Sequence, residues 1–135
     1  MFIRFWRAGT DEPPHAGPVH VSMNDYLIHR FRDVPGVARA GIGFWRAWPR
    51  TEGALGLWVA SSPGGLRQIS VSVWRDRDSL WDFVKTPAHR RVMRDFRDAG
   101  VLHTNPWTAE RLDRALIWRQ AEERLLGHVA GVPHN

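Results

Sequence analysis

The stretch Leu66–Gly100, LRQISVSVWRDRDSLWDFVKTPAHRRVMRDFRDAG, constrains the fold more than any other part of the chain. Ile69, Val71 and Val73 alternate with Ser70, Ser72 and Trp74, the period-2 pattern of a strand with two different faces. Asp76 follows, where a carboxylate can accept from the free N–H groups of a first helical turn, and Asp78 and Ser79 suit the positive end of that helix. Leu80, Phe83 and Val84 supply a buried stripe at helical spacing. Thr86-Pro87 breaks the run but is also a cap followed by proline at a first helical position, so a second helical segment restarts there. On it His89, Val92, Met93 and Phe96 share one face, Arg90, Arg91, Arg94 and Arg97 fall largely on the others, and Gly100 is a stop signal. A strand, a tight turn and a broken helix are therefore expected, with His89 directed toward the sheet or a pocket beside it.

The flanking segments extend this unit. Phe2–Ala8 reads as a strand and Gly9–Pro18 as a loop in which His15 is solvated. Ser22 opens a predicted helix, with Asp25 completing a short capping box and Met23, Tyr26, Leu27, Arg30 and Phe31 forming its stripe. His20 and His29 read as exposed. Val37–Trp48 is predicted as a second strand whose Gly41 and Gly43 leave room above the sheet. Ala54–Ala60 is strand-like and Ser61–Gly65 a turn. Val101–Arg111 reads as an irregular connection with Thr108 capping a short turn, Arg114–Trp118 as the last strand, Gln120–Leu126 as a short helix and Gly127–Asn135 as a frayed tail.

The resulting order, β, α, β, (β), β, α, β, fits an α+β ferredoxin-like sandwich with an antiparallel sheet. The expected organisation is one domain over residues 1–119 and a C-terminal helix and tail over 120–135. Helices in this plan cover one sheet face. The other face, assigned Trp6, Trp45 and Trp74, then needs a partner, and a homodimer whose two sheets close into a barrel supplies it.

Composition narrows the chemistry. A chain of 135 residues with 43% hydrophobic content forms a real core. The formal net charge is +5, but the basic residues are scattered among acidic ones, which argues against a nucleic-acid partner. The absence of cysteine excludes thiol nucleophiles, cysteine-ligated clusters and thiolate-ligated haem. No apolar run approaches a membrane span and no signal core appears, so a cytoplasmic protein is expected. No HExxH, Walker loop or GxGxxG pattern occurs.

The segment ISVSVWRDRDSLWDFVKTPAHRRVMR resembles the strand–Trp–helix–His segment of the dimeric α/β-barrel superfamily, and within it the spheroidene monooxygenase-like proteins and related small DUF3291 proteins. The resemblance is carried by Trp74, Asp76, Asp78, Phe83, His89-Arg90, Met93 and Arg94. Pro35–Ala47 (PGVARAGIGFWRA) resembles the second strand of that group, and the likeness extends to Trp118. It implies an oxidative reaction on an apolar small molecule, with haem as an implied cofactor. In the haem-degrading members the axial histidine falls about one helical turn later, where this chain has Met93.

Two chemistries follow. In a haem-dependent monooxygenase, His89 would be the metal ligand, Arg90 and Arg91 would pair with propionates, and Trp74 and other indoles would wall the pocket. In a cofactor-independent oxygenase of aromatic or polyketide-like substrates, His89 would be the general base, with Ser70, Ser72, Trp74 or Arg39 orienting the substrate and Trp6 and Trp45 lining the pocket. The alternatives to both are a structural His89 bonded to a backbone carbonyl and a non-catalytic ligand-binding dimer.

Overall fold

A computed structural model of the chain describes residues 2–10 and 14–129, with side chains of the last helix through residue 125. Five strands, β1 (Ile3–Ala8), β2 (Val19–Ile28), β3 (Ala54–Ser61), β4 (Arg67–Trp74) and β5 (Gly100–Ala109), form one antiparallel sheet in the order β1-β3-β4-β2-β5. The helices are α1 (Val34–Ala47), α2 (Arg77–Val84), α3 (Pro87–Asp95) and α4 (Arg114–Val129). From β2 to β5 the order is β-α-β-β-(α-α)-β, the ferredoxin-like unit. β1 extends the sheet beside β3, and α4 is an additional helix.

The central stretch folds as its pattern dictates. Asp76 Oδ1 accepts from the Ser79 N–H at 2.8 Å and starts α2, and Thr86 Oγ1 accepts from the His89 N–H at 3.3 Å and starts α3. The strands read at Phe2–Ala8 and Ala54–Ala60 are β1 and β3.

Four other segments depart from the expectation. Residues Ser22–Phe31 are not a helix, because most of them belong to β2. Val19, Val21, Met23 and Asp25 turn to one face and His20, Ser22, Asn24 and Tyr26 to the other, as the alternating register with β4 and β5 requires. Asp25 caps nothing: it is buried and accepts from Arg67 Nε at 2.9 Å and Nη2 at 2.6 Å, with the Phe2 ring beside the guanidinium. Conversely, Val37–Trp48 is helical. Pro35 sits in the first turn of α1, Phe44 and Trp45 turn inward, and Gly41, Ile42 and Gly43 face outward. Val101–Ala109 is an ordered edge strand, which tolerates Pro106. Arg114–Trp118 is not a strand but the first part of α4, which Asp113 caps by accepting from the Leu116 N–H at 3.1 Å. α4 runs without a break through residue 119, where the expected domain ended.

α4 changes the layering. Ile117, Trp118, Ala121 and Leu125 are buried in one cluster with Val19, Val21, Ile69, Val71, Val73 and Trp107. Trp107 Nε1 donates to Gln120 Oε1 at 2.9 Å, and the Arg124 guanidinium stands 4.0 Å from the Trp107 ring centroid. The expectation that helices cover only one sheet face is therefore corrected, and the bare apolar face that argued for a barrel-closing dimer is occupied by the chain's own helix. The tryptophans assigned to that face are also divided. Trp6 lies on the α4 side, over Gly56, where a Cβ would come within 2.1 Å of the indole. Trp45 and Trp74 lie on the other side with Trp48, Leu80 and Phe83. Among the described residues, no helix is long and apolar enough to cross a membrane.

Candidate active site

Between the sheet and the α2–α3 pair lies a cleft of about 880 Å³. Its floor comes from side chains on the sheet face away from α4: His20, Ser22 and Asn24 on β2, Ser72 on β4, and Thr104, Pro106 and Thr108 on β5. These residues are neighbours across the ladder, Ser72 opposite Ser22 opposite Pro106, and Asn24 opposite Thr104. Thr104 Oγ1 donates to Asn24 Oδ1 at 2.9 Å, and Ser72 Oγ donates to the Ser22 carbonyl at 3.2 Å. The opposite wall is Leu80, Trp81, Phe83, Val84, His89 and Met93, and Arg75, Asp76 and Arg77 close one end. Trp81 and Met93 remain exposed, which leaves the mouth apolar.

His89 owes its position to the break between the helices. Thr86 stops one helix and caps the next, so α3 starts with His89 in its first turn. The imidazole packs edge-on to Phe83 at 5.1 Å and beside Phe44 at 5.9 Å. Burial holds its pKa below the ordinary histidine value, and the hydrogen bond to the Val84 carbonyl opposes that shift without cancelling it. The ring is thus neutral near pH 7. One nitrogen donates to Val84 and the other carries a lone pair. His20, read as exposed, also lines the cleft, and its pKa is lowered by burial first and by Arg77 second.

The remaining sequence candidates fall into three groups. Ser72 is in the cleft lining with His89. Trp74 is one ring removed from it: the indole is fully buried, 5.2 Å from Phe83, which in turn contacts His89. It packs edge-to-face against Trp48 at 5.1 Å, and among the described residues neither indole N–H has a hydrogen-bond partner. Ser70 shares the floor's face, opposite Asn24, outside the lining, and Trp45 packs at the edge of the Trp48–Trp74 cluster. Arg39, Arg90 and Arg91 are exposed and outside the lining, and Trp6 is across the sheet. Sequence reasoning passed over His20, Asn24, Thr104, Arg75 and Arg77. The signal for the first two was the alternation Val-His-Val-Ser-Met-Asn, which a helical reading of the same segment conceals.

No family model and no curated protein matches the sequence. Solved structures do share its fold. A candidate monooxygenase from Lactobacillus acidophilus NCFM superposes with a TM-score of 0.60 at 10% identity, over 82% of this chain and 54% of that one, so this chain spans about half its length. SnoaB, a cofactor-independent oxygenase from Streptomyces nogalater, gives a TM-score of 0.54 at 18% identity, over 70% of this chain and 94% of that one. A haem-degrading enzyme from Listeria monocytogenes gives 0.53 at 16% identity, over 64% and 59% respectively. These likenesses are of fold alone: the chain shares the ferredoxin-like α+β fold of these proteins.

Proposed function

We propose that the chain is a monooxygenase-type enzyme that oxidises a planar, largely apolar hydroxyarene in the cleft between sheet and helices, without a resident cofactor. The observation that carries this reading is the neutral His89 on an aromatic wall facing a hydrogen-bonding floor. Phe83, Trp81 and Met93 suit the faces of a ring system, and Ser72, Asn24 and Thr104 suit hydroxyl or carbonyl groups on its edge. His89 would take the proton of an acidified ring C–H or O–H. The resulting anion is electron-rich enough to pass electrons to O2. Where a ring methylene becomes a carbonyl, one oxygen atom stays in the product and the other leaves as water with the two hydrogens, so no external reductant is needed. The fold likeness to a cofactor-independent oxygenase supports the same reading.

Haem is the second reading, because a neutral imidazole oriented by a carbonyl suits an axial ligand. Two features of the lining favour the first reading: the floor presents hydroxyl and amide groups where a macrocycle is hydrocarbon, and Arg90 and Arg91 lie outside the lining, so that Arg75 and Arg77 at one end would have to meet the propionates. Oxygen uptake with anthrone as probe, by chelator-treated protein, tests the choice. Turnover is expected to survive chelation, and protein reconstituted with haemin is expected to show no Soret band. Complete dependence on added haem or iron sinks the proposal. Because His89 titrates below 6.5, the rate should hold as pH falls to 6.5 and decline only below it.

The proposed assembly is a homodimer. Since α4 occupies one sheet face, the contact would use the exposed cross-strand pair Leu27 and Val101 at the far end of the β2–β5 ladder. Sedimentation velocity is expected to give twice the chain mass, and a single 15.5 kDa species removes the dimer.

A further inference from the structure

Across the sheet from the cleft, beside β1, lies a second cavity of about 660 Å³ that shares no lining residue with the first. Trp6, Trp58 and Trp118 form its walls, and Arg4, Arg114 and Arg119 surround them. The Arg4 guanidinium stands 5.1 Å from the Trp58 ring centroid and 4.9 Å from that of Trp118. Trp58 is held in place by its Nε1, which donates to the Arg114 carbonyl at 3.0 Å. Glu122 is the single acid of the lining, and among the described residues it closes no ion pair with any of the three arginines.

Three guanidinium groups around one cavity repel each other, and a bound anion relieves that repulsion. Guanidinium matches a carboxylate through two parallel hydrogen bonds, and the indoles give the cavity aromatic walls against which a flat ring packs. We propose that this cavity binds a planar aromatic carboxylate, at a position separate from the cleft and independent of the reaction assigned to it. The ring lies in the tryptophan-walled part of the cavity, beside the Arg4 guanidinium that covers the Trp58 and Trp118 faces, and the carboxylate is shared between Arg4 and Arg119.

The test is a titration of the full chain with 2-naphthoate, followed through the indole N–H resonances, each assigned by its Trp→Phe variant. Saturable shifts are expected at Trp6, Trp58 and Trp118. Arg4→Gln and Arg119→Gln should each weaken binding about tenfold, as for one lost charge-assisted hydrogen bond. Arg94→Gln, on the exposed surface of α3, should leave it unchanged. The uncharged 2-naphthylmethanol should bind at least about tenfold more weakly. Arg119 is exposed on α4, so its variant keeps the test intact if Arg4→Gln impairs folding. The assignment is overturned by the absence of saturable shifts, by shifts confined to cleft residues, or by equal affinity in parent and Arg119→Gln. Equal affinity for the alcohol overturns it too, as does a glutamate-rich peptide that binds where naphthoate does not, which would point to strand addition at the β1 edge.

Discussion

Replacing His89 with glutamine is expected to lower turnover of the probe substrate by about 10²–10⁴-fold, the usual contribution of a positioned general base. Glutamine can still donate to the Val84 carbonyl, so helix α3 should stay docked and the far-ultraviolet circular dichroism should be unchanged. The loss should appear in kcat rather than KM, since Phe83, Trp81 and the sheet floor still bind the ring. The variant also reports on stability. Burial lowers the folded-state pKa of His89 below its unfolded value of 6.5, so the folded form binds the proton less readily. This group's contribution is complete above pH 6.5 and is lost as pH falls from there through the folded pKa. His89→Gln should therefore lose stability less steeply than the parent as pH falls below 6.5. If turnover is unchanged while acid sensitivity falls, His89 is structural and the base lies elsewhere, with His20 the next histidine of the cleft.

Trp74→Ala should cost about 3–5 kcal/mol of folding stability, as large-to-small changes in a packed core do. Trp74 is fully buried and joins β4 to Trp48 and Phe83, so its removal leaves a void under the wall that carries His89. That loss is a large share of the ~5–15 kcal/mol typical of a small domain. The denaturant midpoint should fall well below that of the parent. Trp74→Phe should be far milder, because the indole N–H makes no hydrogen bond that the change would forfeit. If the alanine and phenylalanine variants unfold at the same midpoint, the N–H and not the ring volume matters, and the packing account is wrong.

The parts of the molecule legible in the sequence are those whose signals are local. The strand ending at Trp74, the Asp76 cap and the Thr86-Pro87 restart all lie within one stretch, and they placed His89 correctly at the start of α3. The fold class was legible too, partly for compensating reasons. The local pattern of β2 favours a helix and that of α1 a strand, yet the α/β count still suits a ferredoxin-like unit. Ser22 followed by Asp25 imitates a capping box, but both are strand residues on opposite faces, and Asp25 serves Arg67 over a separation that no local pattern reveals. In α1, the outward Gly41 and Gly43 weaken the case for a helix, and the aromatic run after them suits a strand by propensity. The helix wins because Phe44 and Trp45 find partners in the Trp48–Trp74 cluster, a tertiary effect. Pro106 demoted β5 to a loop, although an edge strand accommodates it. The floor of the cleft was the least legible part, because it needs β2 and β5 recognised as strands and paired across most of the chain.

That pairing has a kinetic side. β2 is flanked by β4 and β5, both of which follow it in the chain by many residues, so its ladders close large loops before they gain any contact energy. The hydroxyl floor thus exists only once β5 has docked, after the strand–turn–helix segment has had every opportunity to form locally. During synthesis the helical wall that carries His89 would precede the floor it faces, and an emerging chain would hold β2 with one edge open until the last strand arrived. Premature capture of that edge is the characteristic misfolding hazard of such an order.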